Sequence, residues 1–179
     1  MKVNNMYFLN FNDGFIEVPF ASPSLNIYTV GCEHHCKGCH APDLQNYNHE
    51  NRKNLNFSDI EKKLNMIKGF YKSVCWLGGD PLYQFEECYT ISKKIKEIFP
   101  NVVNVVYTGY SWPKFFDENK LNYDIPFDYV IDGTWNGKML GQEGCNQKIW
   151  RQKNWNQNIN LGSTFNFKEI TFDQYKMGE

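Results

Sequence analysis

The chain has 179 residues, a formal net charge of −1 and a hydrophobic fraction of 41%. That length builds one domain with a real core but falls short of the ~250 residues of a complete (β/α)8 barrel. The near-neutral balance argues against nucleic acid, no apolar run approaches the ~20 residues that span a bilayer, and residues 1–5 do not read as a secretory signal, so the expectation is a cytoplasmic protein with neither membrane nor nucleic-acid partners.

Residues 6–11 and 15–20 flank Asn12-Asp13-Gly14, a turn signal that predicts a short N-terminal β-hairpin. Residues 25–30 read as a strand leading into the cysteine-bearing stretch 31–40, and the asparagine-rich residues 46–56 as a surface connection. Ser58, with Glu61 three residues on, has the capping-box pattern. Ile60, Leu64 and Ile67 follow at helical spacing, and Gly69 can end that helix. Residues 73–77 form a short apolar strand running into Gly78-Gly79-Asp80-Pro81. Residues 85–99 carry Cys88, Ile91, Ile95 and Ile98 on one helical face, and Pro100 stops the helix. Residues 102–107 predict a strand, and a helix starts at Ser111 with Pro113 in its first turn. A strand at 129–131, a long Gly/Asn/Gln/Trp-rich loop at 135–160 and a final strand at 164–172 complete the chain, and residues 1–179 read as a single domain.

Alternating strands and helices predict an α/β fold with a parallel sheet and right-handed crossovers. Cys32, Gly78, Thr108 and Asp132 each follow a strand, and sites in such folds assemble at the C-terminal strand ends.

The six cysteines, without a secretory context, fit metal chemistry better than disulfides. Cys32, Cys36 and Cys39 stand in the pattern C-x3-C-x2-C, and the next cysteine is Cys75. Iron–sulfur clusters are held by thiolates, usually four for a cubane. Three leave one metal position open, and open positions are where small-molecule chemistry happens. Structural zinc is the alternative, with His34, His35 or His40 as fourth ligand. The absence of a second ligand pair downstream weighs against it.

The cysteine loop and Gly78 to Leu82, with Tyr107-Thr108-Gly109-Tyr110, Asp128 to Gly133 and Gly144-Cys145-Asn146-Gln147-Lys148, resemble the radical S-adenosylmethionine (SAM) superfamily. Within it they resemble the anaerobic ribonucleoside-triphosphate reductase activating proteins. The resemblance implies an open, partial (β/α) barrel with a mostly parallel sheet. It implies an oxidoreductase with a [4Fe–4S] cluster on Cys32, Cys36 and Cys39 that binds SAM at its free iron. An electron from a flavodoxin- or ferredoxin-like donor then generates a 5′-deoxyadenosyl radical, which installs a glycyl radical on the large subunit of the anaerobic ribonucleotide reductase.

Carried over residue by residue, Gly78, Gly79, Asp80 and Pro81 correspond to the turn that meets the SAM amino group. Thr108 and Asp132 are candidates for its carboxylate or ribose, each also readable as a cap or turn residue. His40 stands where the adenine lies, and Gly38 is the glycine the activating proteins tend to have before the last cysteine. His34 and His35 read as exposed loop residues and only as outside candidates for proton or cluster contacts, Tyr107 and Tyr110 as packing, and Cys75 and Cys88 as buried thiols. Cys145 has no partner thiol in the sequence. Trp135, Trp150 and Trp155 are candidates for docking the reductase loop, since tryptophan is enriched at interface hot spots, with ordinary core packing the alternative for each. Two alternatives remain: a radical SAM enzyme acting on a small molecule, such as a 7-carboxy-7-deazaguanine synthase, and a non-enzymatic iron–sulfur or zinc binding module.

Overall fold

A computed structural model describes residues 6–66, 69–121, 124–153 and 165–178. Its frame is one eight-stranded sheet, in the order β3-β1-β2-β4-β5-β6-β7-β8. The strands are β1 (Met6–Gly14), β2 (Ser24–Thr29), β3 (Lys53–Leu55), β4 (Ser73–Gly78), β5 (Val103–Tyr107), β6 (Tyr129–Asp132), β7 (Lys148–Gln152) and β8 (Phe167–Ile170). The helices are α1 (Phe57–Met66), α2 (Phe85–Ile98), α3 (Trp112–Glu118) and α4 (Phe172–Met177).

The central strands β2, β4, β5 and β6 are parallel. Their connections carry α1, α2 and α3, the helical crossovers that parallel pairing requires. Side chains alternate across them as the pleat dictates. Val74, Trp76, Val106 and Val130 face one core, and Cys75, Val105, Tyr129 and Ile131 face the other. The first face is covered by the apolar stripes of the three helices, through Ile60 and Leu64, Cys88, Ile91 and Ile95, then Trp112 and Phe116. The second is covered by Val18, Phe20 and Ala21 and by α4, which contributes Phe172 and Tyr175. Trp76 is fully buried and donates its indole N–H to Asn104 Oδ1 at 2.9 Å, a polar tip satisfied inside the core as burial requires.

The sheet is mixed rather than mostly parallel, because β1, β3, β7 and β8 pair antiparallel with their neighbours. The connections from β1 to β2, β6 to β7 and β7 to β8 contain no α-helix among the described residues. Without a crossover the chain returns antiparallel. The sheet is open, its edges being β3 and β8, so the partial barrel expected from the resemblance is met only as an open mixed sheet.

The N-terminal hairpin is different from the one read from Asn12-Asp13-Gly14. Strand β1 runs straight through these residues, which pair with Asn26, Leu25 and Ser24 of β2. A Cβ on Gly14 would lie 2.3 Å from Ser24 Oγ, so this glycine serves close strand contact. Residues 15–20 form no strand: Phe15 and Ile16 are exposed, and Pro19–Ala21 is a 3-10 turn.

Other expectations shift locally. The loop expected at 135–160 contains β7, and the surface connection at 46–56 contains β3. Helix α1 starts at Phe57, so Ser58 lies inside it, and Asp59 rather than Glu61 accepts the Asn56 N–H, at 3.1 Å. Ile98 is 51% exposed instead of joining the buried face of α2. The final strand is Phe167–Ile170 alone, followed by α4. Ile67 of the helical pattern, Thr164 of the expected last strand and Trp155 lie outside the described residues.

Among the described residues no helix is long and apolar enough to cross a membrane.

Candidate metal centre and its cavity

The cysteine loop leaves the C-terminal end of β2, and its base is closed by backbone. Gly31 N–H donates to Leu44 O at 2.8 Å and Cys32 N–H to Gln45 O at 3.1 Å, while Cys39 N–H folds back to Cys36 O at 3.2 Å. Gly31 has φ +94°, and a Cβ there would stand 2.6 Å from the Tyr83 ring. Only glycine turns the chain left-handed in so little space.

Cys32, Cys36 and Cys39 are free and half-buried, and all three line one cavity of about 550 Å³ at the C-terminal ends of the parallel strands. Gly78 and Gly79 at the end of β4 and Thr108 and Gly109 at the end of β5 line it as well. Leu77, Leu140 and Phe172 give it apolar walls, with Tyr28, Tyr107 and Tyr175 among its aromatic ones. Its size suits a cofactor-sized molecule.

Not all expected site residues reach this cavity. His40 does, exposed, with its ring 4.1 Å from that of Trp135, another wall residue. Gly38 sits at the exposed tip of the loop with φ +71°, off the cavity wall. Pro81 is buried in the first position of a 3-10 turn. Asp132 is 3% exposed and accepts the Trp112 N–H at 2.6 Å. It thus caps the N-terminus of α3, a task the Ser111 side chain leaves undone. Its neighbour Gly133 is the residue that lines the cavity.

Gly78 and Gly79 serve the chain itself. A Cβ on Gly78, at φ +110°, would lie 2.4 Å from Thr29 O, and one on Gly79 would lie 2.5 Å from Gly31 O and 2.6 Å from Leu44 O. The glycine pair therefore lets the root of the cysteine loop rest directly on β4, with Gly79 N–H donating to Thr29 O and Asp80 N–H to Gly31 O.

Asp80 is the knot of the site. It is 2% exposed and absent from the cavity wall. Its carboxylate accepts from Leu82 N–H at 2.9 Å, the Thr108 hydroxyl at 2.9 Å, Gly109 N–H at 2.8 Å and His34 Nε2 at 2.8 Å. Three loops, after β2, β4 and β5, meet at this one group.

His34 was expected to be exposed. Instead its side chain is 12% exposed. The ring packs edge-on against Tyr110 at 4.4 Å and fills the space where a Cβ on Gly109 would stand, 2.3 Å away. Ligand atoms of Cys32, His34 and Asp80 all lie within 4.8 Å of one another, but the ring nitrogen and the carboxylate are already bonded to each other. His35 is exposed and reaches Gln45 Oε1 at 3.2 Å.

Burial pushes the Cys32 thiol up to about 11; the His34 amide opposes the rise, and the charge of Asp80 and the thiols of Cys36 and Cys39 add to it. A metal that binds there must supply the positive charge that deprotonates it. The donor set is all sulfur, arises from one loop and faces an open cavity. It fits an iron–sulfur cluster with a free coordination position better than a closed tetrahedral zinc site. Cys75 and Cys88 sit fully buried in the two cores, with thiols raised well above the ordinary range by desolvation. Cys145 is half-buried, its sulfur 3.6 Å from Lys138 O.

Three cysteines on one loop at the strand ends of an open α/β sheet are a donor set of the iron–sulfur class. The chain belongs to the 4Fe-4S single cluster domain family, whose model matches residues 24–160. It is also similar to the anaerobic ribonucleoside-triphosphate reductase-activating protein of Enterobacteria phage T4, 28% identical over 131 residues, covering 69% of this chain and 81% of that protein. The resemblance to the activating proteins drawn from the motifs is thereby shown.

Sequence reading missed several contributors to the cavity. Tyr107 was assigned to packing, yet it lines the cavity and donates its hydroxyl to Glu17 O at 3.0 Å. Tyr175 donates to the same carbonyl at 2.7 Å, and Phe172 and Tyr175 bring α4 to the wall. A signal for α4 existed: Thr171 and Gln174 form a complete capping box. No sequence signal brings residues 16 and 17 to the mouth, where Ile16 and Glu17 line it.

Proposed function

We propose that this protein is a SAM-dependent iron–sulfur activase that installs a glycyl radical on an anaerobic ribonucleoside-triphosphate reductase. The observation that carries the proposal is the convergence of Cys32, Cys36 and Cys39 with Gly78, Gly79 and Thr108 on one cavity. When bound, a [4Fe–4S] cluster supplies the electron for reductive cleavage of SAM.

The chain's own residues have distinct jobs in this reading. The three thiolates hold the cluster and leave one iron for SAM. The backbone of Gly78 and Gly79, clear of side chains, receives the methionine amine, while Asp80, engaged in its own hydrogen bonds, holds that turn in shape. Thr108 and Gly109 flank the carboxylate, and His40 and Trp135 offer an aromatic pair for the adenine. The apolar walls exclude water from a species that attacks any C–H bond it meets. Asp132 acts one step back, fixing α3 behind the strand ends. Similarity to the phage activating protein supports the reductase as partner, and a flavodoxin- or ferredoxin-like protein is the proposed reductant.

The test is anaerobic. The reconstituted, reduced protein is mixed with SAM and the reductase from the same source, and followed by electron paramagnetic resonance with an assay for 5′-deoxyadenosine. A glycyl-radical doublet that vanishes with Cys36→Ala is the expected result. Deoxyadenosine without the doublet would replace the reductase by another substrate. Zinc in place of iron, with neither product, would overturn the reading.

A further inference from the structure

We propose that His34 is a positioning residue of the metal centre. Through its bond to Asp80 it holds the Cys32 end of the cysteine loop on the strand ends and offsets the Asp80 anion beside the cluster. The inference rests on the cluster reading above and deepens it.

Three observations converge on His34. Its Nε2 lies 2.8 Å from Asp80 Oδ2, and that carboxylate also accepts from Thr108 and Gly109 of the next strand end. The residue therefore links the cysteine loop to two neighbouring loops through one buried anion. Its ring is also locked sterically, edge-on to Tyr110 at 4.4 Å and against a glycine that leaves no room for a methyl group. Tyr110 is itself tied back to the cysteine loop, its hydroxyl donating to Glu33 Oε1 at 2.7 Å. Lastly, the Cys32 sulfur lies within 4.8 Å of the His34 and Asp80 polar atoms, so their charge and dipoles act directly on a cluster ligand.

A buried carboxylate next to a cluster opposes the added negative charge of reduction. A donor aimed at that carboxylate spreads its charge and weakens the opposition. Net charge and hydrogen bonding around the ligand sulfurs are what set such potentials. Removing His34 and neutralising Asp80 therefore pull the cluster in opposite directions, whereas simple loosening of the loop pulls both the same way.

The experiment measures the reduced-to-oxidised ratio of the reconstituted cluster at a fixed solution potential, with iron content and thermal midpoint, for wild type, His34→Ala, His34→Gln and Asp80→Asn. His34→Ala is expected to lower the ratio about tenfold, equivalent to 59 mV for a one-electron couple. Asp80→Asn is expected to raise it. Gln reaches as far as Nε2 and carries an N–H donor, so His34→Gln is expected within about threefold of wild type.

Should His34→Ala fail to retain iron, retention by His34→Gln still supports the positioning role, and equal loss by both overturns it. Shifts of His34→Ala and Asp80→Asn in the same direction, or an unchanged ratio in iron-replete His34→Ala, also overturn it. A wild-type protein that takes up no iron removes the cluster reading itself, and this inference with it.

Discussion

Replacing Gly79 by alanine tests whether the cysteine loop depends on its contact with β4. The added Cβ would stand 2.5 Å from Gly31 O and 2.6 Å from Leu44 O, both backbone atoms, where ordinary contact starts near 3.4 Å. Something must move by about 0.9 Å, and no flexible side chain is there to yield. Those carbonyls accept the Asp80 N–H at 2.7 Å and the Gly31 N–H at 2.8 Å, bonds that a displacement of this size stretches beyond useful length. Two hydrogen bonds at about 1 kcal/mol each plus about 1–3 kcal/mol of overpacking give a loss of about 3–5 kcal/mol. For a chain of this size that lowers the thermal midpoint by roughly 10 °C. Because the strain falls at the root of the cysteine loop, iron uptake on anaerobic reconstitution should fall with it. Gly38→Ala is the control: its φ is +71° but nothing lies within 4 Å of the new Cβ, so its cost is about 1 kcal/mol of backbone strain, with normal iron uptake. Gly79→Ala loading iron and melting like wild type, or Gly38→Ala proving as damaging, would refute the steric argument.

Three further outcomes follow from the same geometry. Trp150 packs half-buried against Phe165 in the core, whereas Trp135 lies tilted against His40 at the cavity wall. Trp150→Ala should therefore cost about 2–3 kcal/mol of stability and Trp135→Ala should weaken SAM binding at normal iron content, as read by thermal melts and titration calorimetry. Tyr107 and Tyr175 share the Glu17 carbonyl as acceptor, so Tyr107→Phe or Tyr175→Phe alone still leaves that carbonyl one donor. Each should cost about 1 kcal/mol, and the double variant more than the sum in urea unfolding. The Cys32 thiol, raised to about 11 by burial, stays protonated in the folded apo-protein at pH values where an unfolded cysteine, near 8.5, is ionised. The stability it contributes is present below the unfolded value and lost as pH rises toward 11. Iodoacetamide should accordingly label Cys32 more slowly than an unfolded control at pH 8–9, the gap closing toward pH 11 by peptide mapping; equal labelling throughout would contradict the burial argument.

What the amino-acid sequence determined by itself were the features carried by short-range spacing. The C-x3-C-x2-C loop, the central strands ending at Gly78 and Tyr107, and the apolar stripe of α2 through Cys88, Ile91 and Ile95 were legible because a loop's ligand spacing and a strand's or helix's period are local properties. The three cysteines line one cavity together.

Direction and partnership were decided only in the tertiary structure. Asn12-Asp13-Gly14 has the chemistry of a turn, yet the longer pairing of β1 with β2 holds it extended. Strands β7 and β8 turn the sheet from parallel to mixed, because pairing is set by which neighbour a strand meets. The part played by a polar residue likewise depends on what reaches it from elsewhere in the chain. Asp80 is held by groups from loops 46 residues before it and 28 and 29 after it. Asp132 caps a helix that begins 20 residues earlier. His34 is enclosed by a tyrosine and a glycine from another strand end. A buried carboxylate must be satisfied wherever donors arrive, and only the folded chain determines which donors those are.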